Sequence, residues 1–167
     1  MPEKRTLERA RKDKREGKAP STQAGEFVRE EMDHVREGKH GARSAKQAIA
    51  IGLSKARRAG VKLAPPKAGT ASERTRRQAA RDTNKGSHPS AQAPSPKRSR
   101  AVTSALKREG HQAASHSALS RQAHASAASR GAANRSQAAR KAVRTKGAAG
   151  RKAAAQKAAR TRARRSR

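Results

Sequence analysis

Cysteine, tyrosine and tryptophan do not occur in this 167-residue chain, and Phe27 is its single phenylalanine. The missing cysteines exclude disulfides, thiolate metal sites and cysteine nucleophiles, and they fit a reducing compartment. The missing aromatics remove the usual platforms on which single-stranded nucleic acids stack their bases. Acidic residues are scarce: 12 Asp and Glu face 43 Lys and Arg, for a formal net charge of +31. No apolar run approaches the roughly 18 residues of a membrane span. Leu, Ile, Val and Phe together number 13, well below the share of about 20% that separates folding chains from disorder-prone ones. Buried alanine removes little apolar area, while each ordered residue costs about 1–2 kcal/mol of backbone entropy. One core shared by the whole chain is therefore not expected. Nor is an enzyme: no catalytic residue, cofactor or small-molecule substrate is assigned.

What the chain has instead is alanine and positive charge, unevenly spread. Residues 1–66 carry 17 basic and 9 acidic residues and 11 of the 15 Val, Ile, Leu, Met and Phe. Residues 67–167 carry 26 basic and 3 acidic residues. The packing information thus lies at one end and the charge at the other. An excess of this size calls for a polyanion nearby. Nucleic acid comes first, an anionic membrane second and acidic proteins third. The opening Met1-Pro2-Glu3-Lys4-Arg5 lacks the apolar stretch of a secretory signal, and Glu3, Glu8, Asp13 and Glu16 argue against a transit peptide. The expected location is the cytoplasm, in association with the nucleoid.

Four segments follow from the punctuation. Residues 1–18 read as a charged helical arm with Glu8/Lys12 and Lys12/Glu16 at i,i+4 and only Leu7 as a large apolar residue, stopped by Gly17 and Pro20. Residues 20–64 read as an αα-hairpin. In its first helix, over 21–37, Ser21 or Thr22 is the expected cap, and Ala24, Phe27, Val28, Met32 and Val35 form one face. The second, over 44–59, has a capping box from Ser44 to Gln47, a face that includes Ala48, Ile49, Gly52, Leu53 and Ala56, and a Schellman stop at Gly60 with Val61 packing back. Phe27, Val28, Met32, Val35, Ile49 and Leu53 are the expected core, and the small Ala48, Gly52 and Ala56 let the two helices approach. Some 45 residues are marginal alone, so this hairpin is expected to need a second copy, a nucleic acid or another protein.

Residues 65–97 read as a linker rich in Pro, Ser and Ala, with a short charged helix around Ser72–Arg81. Residues 98–167 read as a basic tail of capped Ala/Arg/Lys runs separated by Gly110, Gly131 and Gly147. Like charges three or four apart oppose its helices until phosphates neutralise them. The expected fold class is therefore mostly α: an N-terminal αα-hairpin, three helices at most, followed by a disordered or conditionally helical tail.

The tail supplies the candidate nucleic-acid contacts: Arg98, Arg100, Lys107, Arg108, Arg121, Arg130, Arg135, Arg140, Lys141, Arg144, Lys146, Arg151, Lys152, Lys157, Arg160, Arg162, Arg164 and Arg165. Arg outnumbers Lys by 27 to 16, which favours bidentate phosphate contacts. A secondary basic face on the second hairpin helix comprises Arg43, Lys46, Lys55, Arg57 and Arg58. It imitates a helix-turn-helix, although the turn Gly38–Ser44 is longer than that motif's three or four residues. The six histidines read as exposed polar residues, with no metal site assigned. Glu30, Glu31 and Asp33 read as surface ion-pair partners of Arg29 and Arg36. DNA is the expected partner and RNA or the ribosome the alternative. In a third reading, the hairpin is an adaptor for a protein partner or for self-association, and the tail only localises it. Membrane binding ranks below these, because the basic helices lack the Trp, Phe and Leu of an inserted face.

Two resemblances add to this. Gly25–Met32, Gly38–Gly41, Ser44 and the run Gln47-Ala-Ile-Ala-Ile-Gly-Leu-Ser-Lys-Ala-Arg-Arg-Ala-Gly60 are similar to a group of small, very basic bacterial proteins of uncharacterised function, loosely labelled DNA-binding or plasmid-stabilisation proteins. That resemblance spans about 45 residues and implies a bacterial cytosol. It carries over no active site. The tail resembles the Ala/basic tails of histone-like bacterial proteins and linker histones, and Ser95-Pro96-Lys97-Arg98 resembles the latter's Ser-Pro-basic-basic units, though this tail prefers Arg to Lys.

Overall fold

A computed structural model of the chain describes residues 2–88 and 95–165, without the side chain of Arg165. Its seven α-helices, among the described residues, are α1 (Lys4–Arg15), α2 (Pro20–Arg36), α3 (Ala45–Arg58), α4 (Glu73–Ser87), α5 (Pro96–Lys107), α6 (His116–Ser129) and α7 (Gly131–Arg165), with a 3₁₀ turn at Gln112–Ala114 before α6. The chain divides into two compact units, 1–122 and 123–167, with the boundary inside α6.

The first unit is a multi-helix bundle, so the expected hairpin with a disordered tail is overturned. α2 and α3 pack most extensively; α1 lies on α2, α4 on α3, and the 3₁₀ turn on both α2 and α3. The hairpin's ends follow from its sequence. Ser44 Oγ accepts from Gln47 N–H at 3.2 Å, and Gln47 Oε1 accepts from Arg43 N–H at 2.9 Å, one residue before a capping box would put it. At the other end Gly60 N–H donates to Arg57 O at 3.0 Å and Val61 N–H to Ala56 O at 3.1 Å, the two bonds of a Schellman cap. Gly60 has φ +87°, and Val61 is buried against Ala56. α2 departs from expectation at its start: its cap position is Ala19 with no side-chain bond, and Pro20 is the first helical residue, where its missing N–H costs nothing.

Two apolar clusters form the core. One joins Ala10, Ala24, Phe27, Ala56 and Val61, with Leu7, Leu53 and Leu63 packed on it. The other joins Met32, Val35, Ala42, Ala48, Ala113 and Ala114, with Val28, Ile49 and Leu119. Of the six expected core residues, Phe27, Met32 and Val35 are buried in them, and Val28, Ile49 and Leu53 are partly buried against them. Gly52 explains how so few large side chains suffice: a Cβ there would sit 2.7 Å from Val28 Cα. The helix backbones are close enough for alanines to fill the space between them.

The clusters also explain the three departures from the expected organisation. α1 is a packed helix rather than a solvated arm, because Thr6, Ala10 and Asp13 are buried along with the contact made by Leu7. The short charged helix expected around Ser72–Arg81 inside the linker is α4, which runs on to Ser87 and which Ser72 caps through Thr75 N–H at 3.2 Å. α4 docks on α3 through the buried Ala79 and Asp82, with Gly86 so near Arg57 that a Cβ would overlap its carbonyl. Pro89 and Pro94, on which the linker reading leaned, lie outside the described residues, and Pro96 opens α5. The beginning of the expected tail completes the core: Gly41 N–H donates to Leu106 O at 2.9 Å, Ala42 N–H to Gly110 O at 3.0 Å, and Ala113 and Ala114 are buried. The hairpin is thus packed by α1, α4 and the 3₁₀ turn of its own unit.

The second unit holds the end of α6 and all of α7. None of the described side chains of α7 is buried, and its one large apolar residue, Val143, is 44% exposed. Gly147, at φ +62° and ψ −178°, interrupts its helical geometry. Helix prevails over like-charge repulsion because the basic residues are diluted by alanine, the best helix former. The glycine-delimited runs of the expected tail are therefore helices.

Candidate nucleic-acid interface

A cationic surface depends on where the few acids go. Of the 12, Asp13, Glu30, Glu31 and Asp82 are buried. Asp82, 1% exposed, accepts from Arg58 Nε at 2.7 Å, Ser54 Oγ at 2.7 Å and Gln78 Nε2 at 3.1 Å, which ties α4 to α3. Asp13 receives Lys18 Nζ at 2.7 Å. Lys55 Nζ lies 2.6 Å from Glu31 Oε2 and 3.7 Å from Glu30 Oε1. Glu30 and Glu31 are therefore not surface partners of Arg29 and Arg36; Asp33 is one, 3.2 Å from Arg36 Nη1, and the residue that pairs with Arg29 is Glu26, at 4.0 Å. The hydropathy pattern of α2 already put Glu31 beside Met32 and Val35. The sequence carried no sign that Lys55, on α3, would reach it.

The same contacts dismantle most of the secondary basic face. Arg43 and Lys46 are exposed. Lys55 is held by Glu30 and Glu31, and Arg58 by Asp82. Arg57 is buried, donating from Nε to Leu63 O at 3.2 Å and from Nη2 to Ala64 O at 3.3 Å. Burial pushes its guanidinium below the usual arginine range, partly offset by the Asp82 charge. Three of the five residues of the helix-turn-helix imitation thus hold the bundle together.

The expected tail contacts fare differently. Arg98, Arg100 and Lys107 are exposed on α5, Arg108 at its end, Arg121 on α6 and Arg130 just before α7. Arg135, Arg140, Lys141, Arg144, Lys146, Arg151, Lys152, Lys157, Arg160, Arg162 and Arg164 are exposed on α7; the backbone of Arg165 ends it. α7 carries 12 basic residues and no acid. At about 100° per residue these project all round the helix rather than along one stripe. Two of them turn to the backbone: Arg151 Nε donates to Gly147 O at 3.2 Å, and Arg135 Nη1 to Ala127 O at 3.5 Å.

Residues 4–68 match a family model described only as a family of unknown function, DUF6496. The chain is similar to that family through α1, α2 and α3, and the match ends before α4. No curated protein and no solved structure matches the chain. Among the described residues, no helix is long and apolar enough to cross a membrane.

Proposed function

We propose that the protein binds duplex DNA without sequence preference, by phosphate neutralisation through α7 and the exposed basic residues of α5 and α6, in association with a bacterial nucleoid. One observation carries this reading: among the described residues, α7 exposes 11 basic side chains on all its sides, with no acid and no apolar face. An α-helix with its side chains is about 10–12 Å across, and the major groove of B-DNA is about 12 Å wide. A helix charged all round meets phosphates on both walls of such a groove. A planar membrane surface would meet one side only and would find nothing apolar to insert.

Electrophoretic mobility shifts of the whole protein on a 30-base-pair duplex across a salt series test it. Binding should weaken steeply with salt, with a log–log slope near −9 for about ten phosphate contacts. Affinity indifferent to salt, or absent at low salt, defeats the proposal. Structured RNA that displaces the duplex at equal concentration would reassign the same helix to RNA.

A further inference from the structure

α2 ends in a small polar centre that the nucleic-acid reading does not use. Glu31 and His34 lie one turn apart on α2, and His40 follows in the turn to α3. One ligand-type atom from each of the three lies within 4.8 Å of the others. Glu31 is fully buried, and neither of its carboxylate oxygens has a well-aligned hydrogen bond, though Lys55 Nζ stands 2.6 Å from Oε2. Its Oε1 is 2.9 Å from His40 Nε2. His40 Nδ1 lies 3.0 Å from Gly41 O, and a carbonyl can only accept, so Nδ1 carries the proton. In a neutral imidazole that leaves the Nε2 lone pair facing a carboxylate lone pair. The contact needs a positive centre at that point, either a second proton or a metal ion.

We propose that Glu31 Oε1 and the imidazoles of His34 and His40 bind one divalent transition-metal ion of the zinc class. Imidazole with carboxylate is a donor set that zinc takes at about 2.0–2.2 Å, and Glu31 Oε1 and His40 Nε2 already stand 2.9 Å apart, with a nitrogen of His34 within 4.8 Å of both. The bond from His40 Nδ1 to a backbone carbonyl is the outer contact that orients a metal-binding histidine. Glu3 Oε1, 2.9 Å from His34 Nε2, borders the fourth position. A cleft of about 140 Å³ lined by Glu3, Arg5, Glu30, His34, Glu37 and Lys39 among others opens onto the His34 side of the cluster. The cleft lining itself is balanced, with Glu3, Glu30, Asp33 and Glu37 against Arg5, Arg9, Arg29 and Lys39, so what selects the ion is the donor set and the contact between Glu31 and His40. The ion would join the C-terminal turn of α2 to the loop that leads into α3.

The test is calorimetric titration of the metal-free whole protein with zinc chloride, without nucleic acid, so that its outcome is independent of DNA binding. One equivalent should bind and raise the melting temperature, and magnesium and calcium should not substitute. Cobalt(II) should give the visible absorption of a four-coordinate nitrogen/oxygen site. His34→Gln and His40→Gln, each checked for native circular dichroism, should weaken zinc by more than about tenfold, whereas His116→Ala and His124→Ala should leave it unchanged. No binding, binding that both glutamine variants retain, or binding lost with His116 or His124 overturns the site. If a glutamine variant unfolds, the cobalt spectrum of the native chain decides: octahedral, weakly absorbing cobalt also overturns it.

Discussion

The two units of this chain solve the problem of having few large apolar side chains in opposite ways. In residues 1–122, backbones come close enough for alanine and glycine to make the interior, and buried acids are tied to basic residues of neighbouring elements, such as Asp82 to Arg58 and Glu31 to Lys55. In α7 no interior exists; alanine acts through helix propensity alone, and the basic residues point outward unopposed by any acid. The same two residue types, alanine and arginine, are thus packing and cross-linking elements in one unit and spacer and ligand in the other.

Substitutions should separate the two roles. The largest effect belongs to α7. Replacing Arg135, Arg140, Lys141, Arg144, Lys146 and Arg151 by Gln should reduce the salt slope of DNA binding by about 5, at about 0.9 per lost phosphate contact. The melting of the first unit should not move, and a parallel loss of both would break the comparison. Next comes Phe27→Ala, which empties the centre of one cluster and should cost about 3–5 kcal/mol in chemical denaturation, leaving the helicity of α7 intact. Asp82→Ala strands Ser54, Gln78 and Arg58; with Arg58 half exposed, about 1–3 kcal/mol is expected. Ser44→Ala removes a cap and should cost about 1 kcal/mol.

The smallest effect is a pH dependence. Hydrogen bonds from His34 and then Lys39, with the Lys39 charge, hold the exposed Glu3 carboxyl down from 4.5 to about 2. A depressed carboxylate stabilises the fold above its unfolded value, and that contribution is lost as pH falls from about 4.5 through about 2. Glu3→Gln should flatten that stretch of an acid-unfolding curve, by lowering stability slightly above pH 4.5 and leaving it unchanged below about pH 2.

Local signals were readable in the sequence because their causes are local. Ser44, Gln47, Gly60 and Val61 mark the ends of α3, and the spacing of Phe27, Met32 and Val35 marks the buried face of α2. Gly110, Gly131 and Gly147 mark the segments of the C-terminal part. What could not be read were contacts between distant segments made by residues with little chemical signature. Ala113 and Ala114 look like any other alanines of the basic region, yet they close one cluster against Met32 and Val35. Asp82 sits among Arg, Gln and Thr on a polar helix and is buried only because Arg58 and Ser54 await it on α3. The basic face failed for the same reason: nothing near Lys55, Arg57 or Arg58 in sequence shows that their partners are Glu31, Leu63 O and Asp82. The basic side chains of α7 from Arg135 to Arg164 are exposed, as composition alone suggests for a stretch with no acid and one large apolar residue.

The uncovered state of α7 has a consequence for the protein's survival. Each turn or two offers a trypsin-like protease a basic residue with nothing lying over it, and a helix anchored by no core opens locally at little cost. The first unit hides Arg57 and binds Lys55 and Arg58 in ion pairs, and so should be cut far more slowly. The lifetime of α7 in a cell extract is therefore a gauge of how much of the time something else covers it.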